Sequence, residues 1–287
     1  MTLLDTLIEK HKMQQHAAAI RSLARPCIRI HAERTPYREP SAWESRFGGI
    51  PYVPKGTVWP TWETKGLLPF WRTKQLLHLA TINCADAAAC DVEGVLPREG
   101  LLQFWYAENQ PAGYDPKERG GFRVDYIAPG TELELAQPPR KTTIFECCSA
   151  EFMEGVSLPN WEWIEEHAAE HKELPKLDGY EEIENEIQVG GRHQMLGHAN
   201  LFQGPMELQC QLVSNGMNCG DGSGYKDPRR KELESGALDW RVLLELDTDF
   251  NGPGWMWGDL GTLYYWIKKD ALAARQFEKS WAIAHWA

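Results

Sequence analysis

The 287-residue chain predicts an α+β protein, a single body built from two internally duplicated, mainly antiparallel β units with a few flanking helices. Three observations carry this expectation. Leu79-Ala80-Thr81-Ile82-Asn83, a loop, and Gly100-Leu101-Leu102-Gln103-Phe104-Trp105 match Leu243-Leu244-Glu245-Leu246-Asp247, a loop, and Gly261-Thr262-Leu263-Tyr264-Tyr265-Trp266. A Gly-Gly pair precedes each, Gly48-Gly49 and Gly190-Gly191, so three anchors recur in one order, the signature of one structural unit used twice. No long Gly/Ser linker separates the copies, which predicts one domain, 1–287, with a shared core and approximately two-fold contact. The repeats run from about 48 to 127 and from about 190 to 286.

Each element has its own local signal. Leu3, Leu4, Leu7, Ile8, Ala18, Ile20 and Leu23 recur at roughly helical spacing, predicting an amphipathic helix over 3–24 that Pro26 ends. Cys27 to His31 alternates as a short strand, and Thr35 to Pro69, dense in Pro, Gly and Trp, reads as irregular. Strands are expected at Leu76–Asn83, Gly100–Tyr106 and Gly121–Ile127, and a matching trio at Trp240–Asp247, Gly261–Ile267 and Ser280–Trp286. Asp270 is placed to cap a short helix joining the last two. Between the trios, Thr143 to Cys148 reads as a strand, and Asn160 to Leu174 as a helix capped by Asn160 and halted by Pro175. The acidic stretch Asp178 to Glu186 leads into the second Gly-Gly.

A net charge of −11 disfavours nucleic acid and anionic membrane, both of which draw on clustered Lys and Arg. The locally basic run Lys226 to Lys231 is interrupted by Asp227 and reads as a solvated loop. The amino terminus has no continuous apolar stretch of the kind secretory signals carry, and no later segment is apolar for long enough to cross a bilayer, so the expected location is the cytoplasm. The seven cysteines form no C-x-x-C pair, so reduced thiols without disulfides are expected, and no cofactor fingerprint or complete metal-ligand set stands out.

Ser45 to Pro54, Val58-Trp59-Pro60, Leu79 to Asn83 and Leu96 to Phe104 together resemble the YwqG-like bacterial proteins of unknown function. Met206-Glu207-Leu208-Gln209-Cys210-Gln211-Leu212-Val213-Ser214-Asn215-Gly216, Asp239-Trp240-Arg241, Met256-Trp257-Gly258-Asp259 and Leu263-Tyr264-Tyr265-Trp266 extend the resemblance over roughly residues 40 to 287. It implies a mixed α/β cytoplasmic protein, and it brings no reaction and no catalytic residues. Thr81 stands where that family often has Gln, and Arg192-His193-Gln194-Met195 replaces a Trp- or Pro-rich continuation after the second Gly-Gly.

The loop from Asn215 to Tyr225 is rich in Gly and carries Cys219, Asp221 and Tyr225, with backbone N–H groups that could turn towards an anion. It lacks the Lys-Ser/Thr ending of a P-loop and the Gly-x-Ser-x-Gly elbow around Ser223, so a tight structural turn is the competing reading. Among the tryptophans, Trp59, Trp62, Trp71, Trp105 and Trp266 compete as groove wall or core, whereas Trp255 and Trp257, in a Gly-rich loop with Asp259, are the preferred groove residues. Asp247, Asp249 and Asp259 lie near strand ends, and the Asn83/Asp247 correspondence suggests a side chain bonding local backbone. The leading expectation is a binding protein that engages a protein or peptide through loops between the copies, at Trp255, Trp257, Asp259, Cys219, Asp221 and Tyr225. The competing expectation is a metal-assisted hydrolase drawing on His193, His198, Cys219, Asp221 and Asp259. The two loops, Asn215–Tyr225 and Asn251–Asp259, are expected to face one pocket.

Overall fold

The structure, a computed structural model, describes residues 2–35, 40–65, 71–188, 191, 193–201 and 203–286, and the side chains of 65, 71 and 72 lie outside it. In chain order the elements are α1 (Leu3–Lys10), α2 (Ala17–Leu23), β1 (Arg25–Arg34), β2 (Arg46–Phe47), β3 (Tyr52–Pro54), β4 (Thr61–Lys65), β5 (Trp71–Asn83), α3 (Cys84–Ala88), β6 (Leu101–Ala107), β7 (Phe122–Ile127) and β8 (Leu133–Leu135). They continue with β9 (Cys148–Ser157), α4 (Trp161–His167), α5 (Asp178–Glu186), β10 (His193–Met195), α6 (Glu207–Ser214), α7 (Arg230–Leu233), β11 (Trp240–Asp247), β12 (Thr262–Lys268), α8 (Lys269–Ala273) and β13 (Trp281–His285).

Eleven strands make one sheet in the order β13-β12-β11-β10-β1-β9-β2-β5-β6-β7, with β4 added to β5, and β3 and β8 form a separate ribbon. The strand pairings among the described residues are antiparallel. The sheet curls until its ends nearly meet. Ala284 N donates to Ala112 O at 3.1 Å, Trp281 Nε1 donates to Gly113 O at 2.8 Å, and the Phe122 and Trp281 rings meet edge to face at 5.1 Å. The enclosed core is aromatic. Phe104 and Tyr265 pack edge to face at 5.1 Å, and the Tyr265 hydroxyl donates to Trp105 O at 3.0 Å, so burial of the ring does not strand its polar end. A second core, built on Ile8, Ile20, Ile164 and Ile183, gathers α1, α2, α4 and α5 against Val156 of β9.

The two strand trios share a register. Asn83, Ile82, Thr81 and Ala80 pair with Leu101, Leu102, Gln103 and Phe104, while Asp247, Leu246, Glu245 and Leu244 pair with Thr262, Leu263, Tyr264 and Tyr265. Both ladders are then interrupted at the same place, between His78 and Ala80 and between Val242 and Leu244. A bulge twists and bends its strand, so a bulge at matching positions gives the two pairs the same curl.

Several boundaries depart from expectation. The 3–24 helix is two helices, because Lys12 adopts φ 57° and Met13 turns inward to bury its side chain. Pro26 lies inside β1 instead of merely ending a helix, paired with Val156. The strand expected at Thr143–Cys148 starts only at Cys148 and runs to Ser157. Asn160 caps α4 as expected, accepting from Trp163 N at 3.0 Å, but α4 stops at His167 and Pro175 sits within a later 3-10 turn. Asp270 lies inside α8, whose N-cap is Lys268, and its Oδ1 accepts from Ala271 N at 2.7 Å. Of the second Gly-Gly pair, Gly190 lies outside the described residues. By register, Gln194 opposite Glu245 matches Arg46 opposite Thr81, which sets Leu196-Gly197 against Gly48-Gly49. All four are left-handed, with φ of 62° and 66° in the first pair and 60° and 72° in the second.

Candidate functional site: a cationic cavity at the seam of the sheet

The loop after β6 and the loop after β12 meet where the sheet nearly closes. Arg119, in a 3-10 turn before β7, donates through Nη2 to Glu278 O. Beneath this junction opens a cavity of about 490 Å³. Its floor is Trp240, which begins β11, and Trp281, which begins β13. Both indole N–H groups are spent inward, Trp240 Nε1 on Gln211 Oε1 at 2.9 Å and Trp281 Nε1 on Gly113 O at 2.8 Å. Cations lie across the rings, Lys268 Nζ 5.7 Å from the Trp240 centroid and Arg119 Cζ 5.7 Å from that of Trp281, within cation–π range. Lys279 completes the cationic wall, and Ser214, Asn215 and Gly216 at the end of α6 form the opposite rim. Asp270 is the one carboxylate among the lining residues. Among the described residues Lys268, Lys279 and Arg119 have no ion-pair partner within 4 Å. Burial lowers the Arg119 pKa, and the nearby Glu278 charge opposes that shift.

The expected site residues fall elsewhere. Trp255 and Trp257 are 0% and 1% exposed, their rings 5.4 Å apart in the core, so they wall no groove. The reason is polar anchoring: Trp255 Nε1 donates to Asp247 O at 2.8 Å, and Trp257 N donates to Thr248 Oγ1 at 3.2 Å, which draws this Gly-rich loop inward. Asp259 is exposed. Cys219 is buried against Tyr225, and burial raises both their pKa values, the opposite of what a thiolate nucleophile needs. Asp221 is exposed and accepts from Ser223 N at 2.9 Å, an Asx-type turn. Among the described residues the two Gly-rich segments line different cavities. Asn215 and Gly216 line the seam cavity, whereas Asn251 and Gly252 line another of about 620 Å³ beside His193 and Asp249. Trp105 and Trp266 are buried core residues, and Trp59 and Trp62 are likewise buried, while the Trp71 side chain lies outside the described residues.

The five residues of the metal-hydrolase expectation are not assembled. His193 is buried, its Nδ1 accepting from Asp247 N at 3.2 Å and its Nε2 lying 3.5 Å from Asp249 Oδ2, an electrostatic contact longer than a good hydrogen bond. The His193 side chain above all, helped by the bonds that Asp249 accepts from Gly252 N and Asn251 N at 2.9 and 3.0 Å, holds the Asp249 pKa well below the usual carboxylate range. His198 bonds Leu23 O at 2.9 Å and packs edge to face on Trp163, and burial pushes its pKa down to about 3. Among the described residues the one group of three close metal-ligand types is His11, Glu182 and Glu186, and Lys10 Nζ already sits 2.6 Å from Glu186.

Lys268 and Lys279 stand in ordinary mixed-charge surroundings and Arg119 comes from the other trio, so no signal in the sequence marks the three cations as a group. Glu245, a lone carboxylate inside Leu243-Leu244-Glu245-Leu246, does carry a signal in the sequence, that of a buried polar group. Asn83 behaves as expected, its Oδ1 accepting from Ala85 N at 3.0 Å, whereas Asp247 Oδ1 accepts across the ladder from Thr262 Oγ1 at 3.2 Å.

Fold and cavity together define a ligand-sized opening on a nearly closed antiparallel sheet, with helices outside. Residues 45–285 match the family model described as a domain of unknown function, DUF1963, and the chain belongs to that family. None of the curated proteins matches it. Among the described residues no helix is long and apolar enough to cross a membrane.

Proposed function

We propose that this protein binds a peptide segment of a partner in the seam cavity, using the loops where its two trios meet. The observation that supports the reading is the cavity itself, open to solvent at about 490 Å³ and lined by segments of both trios, Pro116 and Arg119 from one and Trp240 to Trp281 from the other. On this reading the trios, over about 48–127 and 190–286, are copies of one ancestral unit within one domain, and the chain is a YwqG-like bacterial protein acting in the cytoplasm. The hydrolase alternative receives no support from the placement of its residues.

Ser214, exposed at the end of α6 on the cavity rim, allows a direct test. A displayed peptide library selected on the wild-type protein should enrich sequences that fail on Ser214→Trp, whose indole fills the mouth while leaving the melting temperature nearly unchanged. Enriched peptides that bind both proteins equally would place recognition elsewhere.

A further inference from the structure

We infer that the group recognised in the seam cavity is anionic, a carboxylate side chain on the bound peptide held by Lys268, Lys279 and Arg119. The inference rests on the peptide-binding reading above and names its chemistry. Four features of the cavity lead to it.

The first is charge. In a chain of net charge −11, three cations face one opening and none has an ion-pair partner within 4 Å among the described residues. The opposing charges nearby are Asp270, whose Oδ1 already accepts from Ala271 N, and the exposed Glu278. The second is the state of the two indoles. Their N–H groups are bonded inward, and cations lie across their faces, so a neutral sugar or a stacking ring would have to displace Lys268 or Arg119 to reach them. An anion meets the cations where they already are. The third is size. About 490 Å³ exceeds what a bare ion fills, so the anion arrives on an organic body. The fourth is desolvation. Arg119 is partly buried, so a carboxylate reaching it is paired where water screens less and the bond is stronger than at the open surface.

The test titrates the full chain, labelled at its indole nitrogens, with capped tetraglutamate, capped tetraglutamine, citrate and inorganic phosphate. Tetraglutamate should move the Trp240 and Trp281 signals saturably and bind about tenfold more tightly than tetraglutamine, weakening as salt is raised. Lys268→Gln with Lys279→Gln should remove that preference. Lys279→Glu alone, at an exposed position that cannot unsettle the core, should weaken tetraglutamate binding by about tenfold or more. Equal binding of both peptides would overturn the anionic inference and leave peptide binding standing. Saturation by citrate or phosphate with no response to tetraglutamate would keep the cavity anionic and overturn the peptide. Silence from every probe at these indoles would overturn both.

Discussion

The trio β5-β6-β7 and the trio β11-β12-β13 have the same register and the same interruption, yet the outer face of each carries different chemistry. In the first, Arg46 of β2 lies opposite Thr81 and the strands of the trio add neutral polar groups. Thr81 Oγ1 and His78 Nε2 are 2.9 Å apart, His78 Nδ1 lies 3.2 Å from Gly49 O, and Gln103 Nε2 donates to Tyr52 O at 2.6 Å, so the polar row ties down the segment that follows β2. With Gly49 O as acceptor, Nδ1 carries the proton and the Thr81 hydroxyl donates to Nε2. Burial, reinforced by the charge on Arg46, pushes the His78 pKa down to about 3. In the second, Glu245 takes the place of Thr81. It accepts from Asn200 N at 3.0 Å and Asn200 Nδ2 at 2.7 Å, Gln194 Nε2 donates to Leu196 O and His198 O, and the Tyr264 hydroxyl donates to Asn200 O at 2.6 Å. Both rows perform the same task of fastening the loop after the short strand. The lesson is that backbone register constrains where polar groups stand, while their identity is free.

The severest test of the equivalence is the tryptophan pair. Trp105 and Trp266 are 1% and 2% exposed, and replacing either with Ala should cost about 3–5 kcal/mol in urea unfolding, the range for a large buried aromatic. Losses differing by several kcal/mol would show that the matched positions are not energetically matched.

The polar rows should diverge with pH. Burial raises the Glu245 pKa from 4.5 to about 7, so between those values the folded state holds a proton that the unfolded state has released. Stability is therefore full below pH 4.5 and falls as pH rises through 7, by a total on the order of 3 kcal/mol. Glu245→Gln should remove this slope, and Thr81→Val should leave it intact. A wild-type slope unchanged by Glu245→Gln would show that the carboxyl does not titrate in this window.

Smallest is the effect at the paired left-handed glycines. At Gly197 an added Cβ would meet Ser157 Oγ at 2.4 Å and Cys27 Cβ at 2.7 Å, whereas at Gly49 the nearest neighbour is Cys147 at 3.3 Å. Both Gly→Ala changes carry the left-handed strain of about 1 kcal/mol or more, and Gly197→Ala should exceed Gly49→Ala in thermal unfolding. The reverse order would mean that the loop after β10 yields more easily than its hydrogen bonds indicate.

The trios were legible because five or six consecutive residues repeat at strand period between turn residues. The middle of the sheet was not. β9 contains Glu151, Glu154 and Gly155, which read against a central strand, and Gly155 is there because the side chains of Arg29 and Cys27 come within 3.0 Å of where its Cβ would stand. β10 is too short to announce itself. The second Gly-Gly pair misled because the structural match follows backbone conformation, which Leu196 adopts at φ 60° without being glycine. The loop tryptophans misled for a related reason: a Gly-rich sequence marks where the chain bends, and it is the bonds from Trp255 Nε1 and Trp257 N that decide which way the rings go. The seam cavity was hidden because Arg119 comes from the other trio, and only the curl of the sheet brings it beside Lys268 and Lys279, which flank one hairpin.

β1 carries one more consequence, for the chain as it leaves the ribosome. It is made well before its partners on the two edges, β9 at Cys148–Ser157 and β10 at His193–Met195. At ordinary rates of synthesis both edges stay open for on the order of ten seconds, time enough for a strand to pair with the wrong neighbour. Arg25, Arg29, Glu33 and Arg34 put charge along the nascent strand, the device by which natural edges discourage such pairing. Arg34 later donates to Phe250 O and Gly252 O, so a charge that guards the early chain ends by latching the loop that closes it.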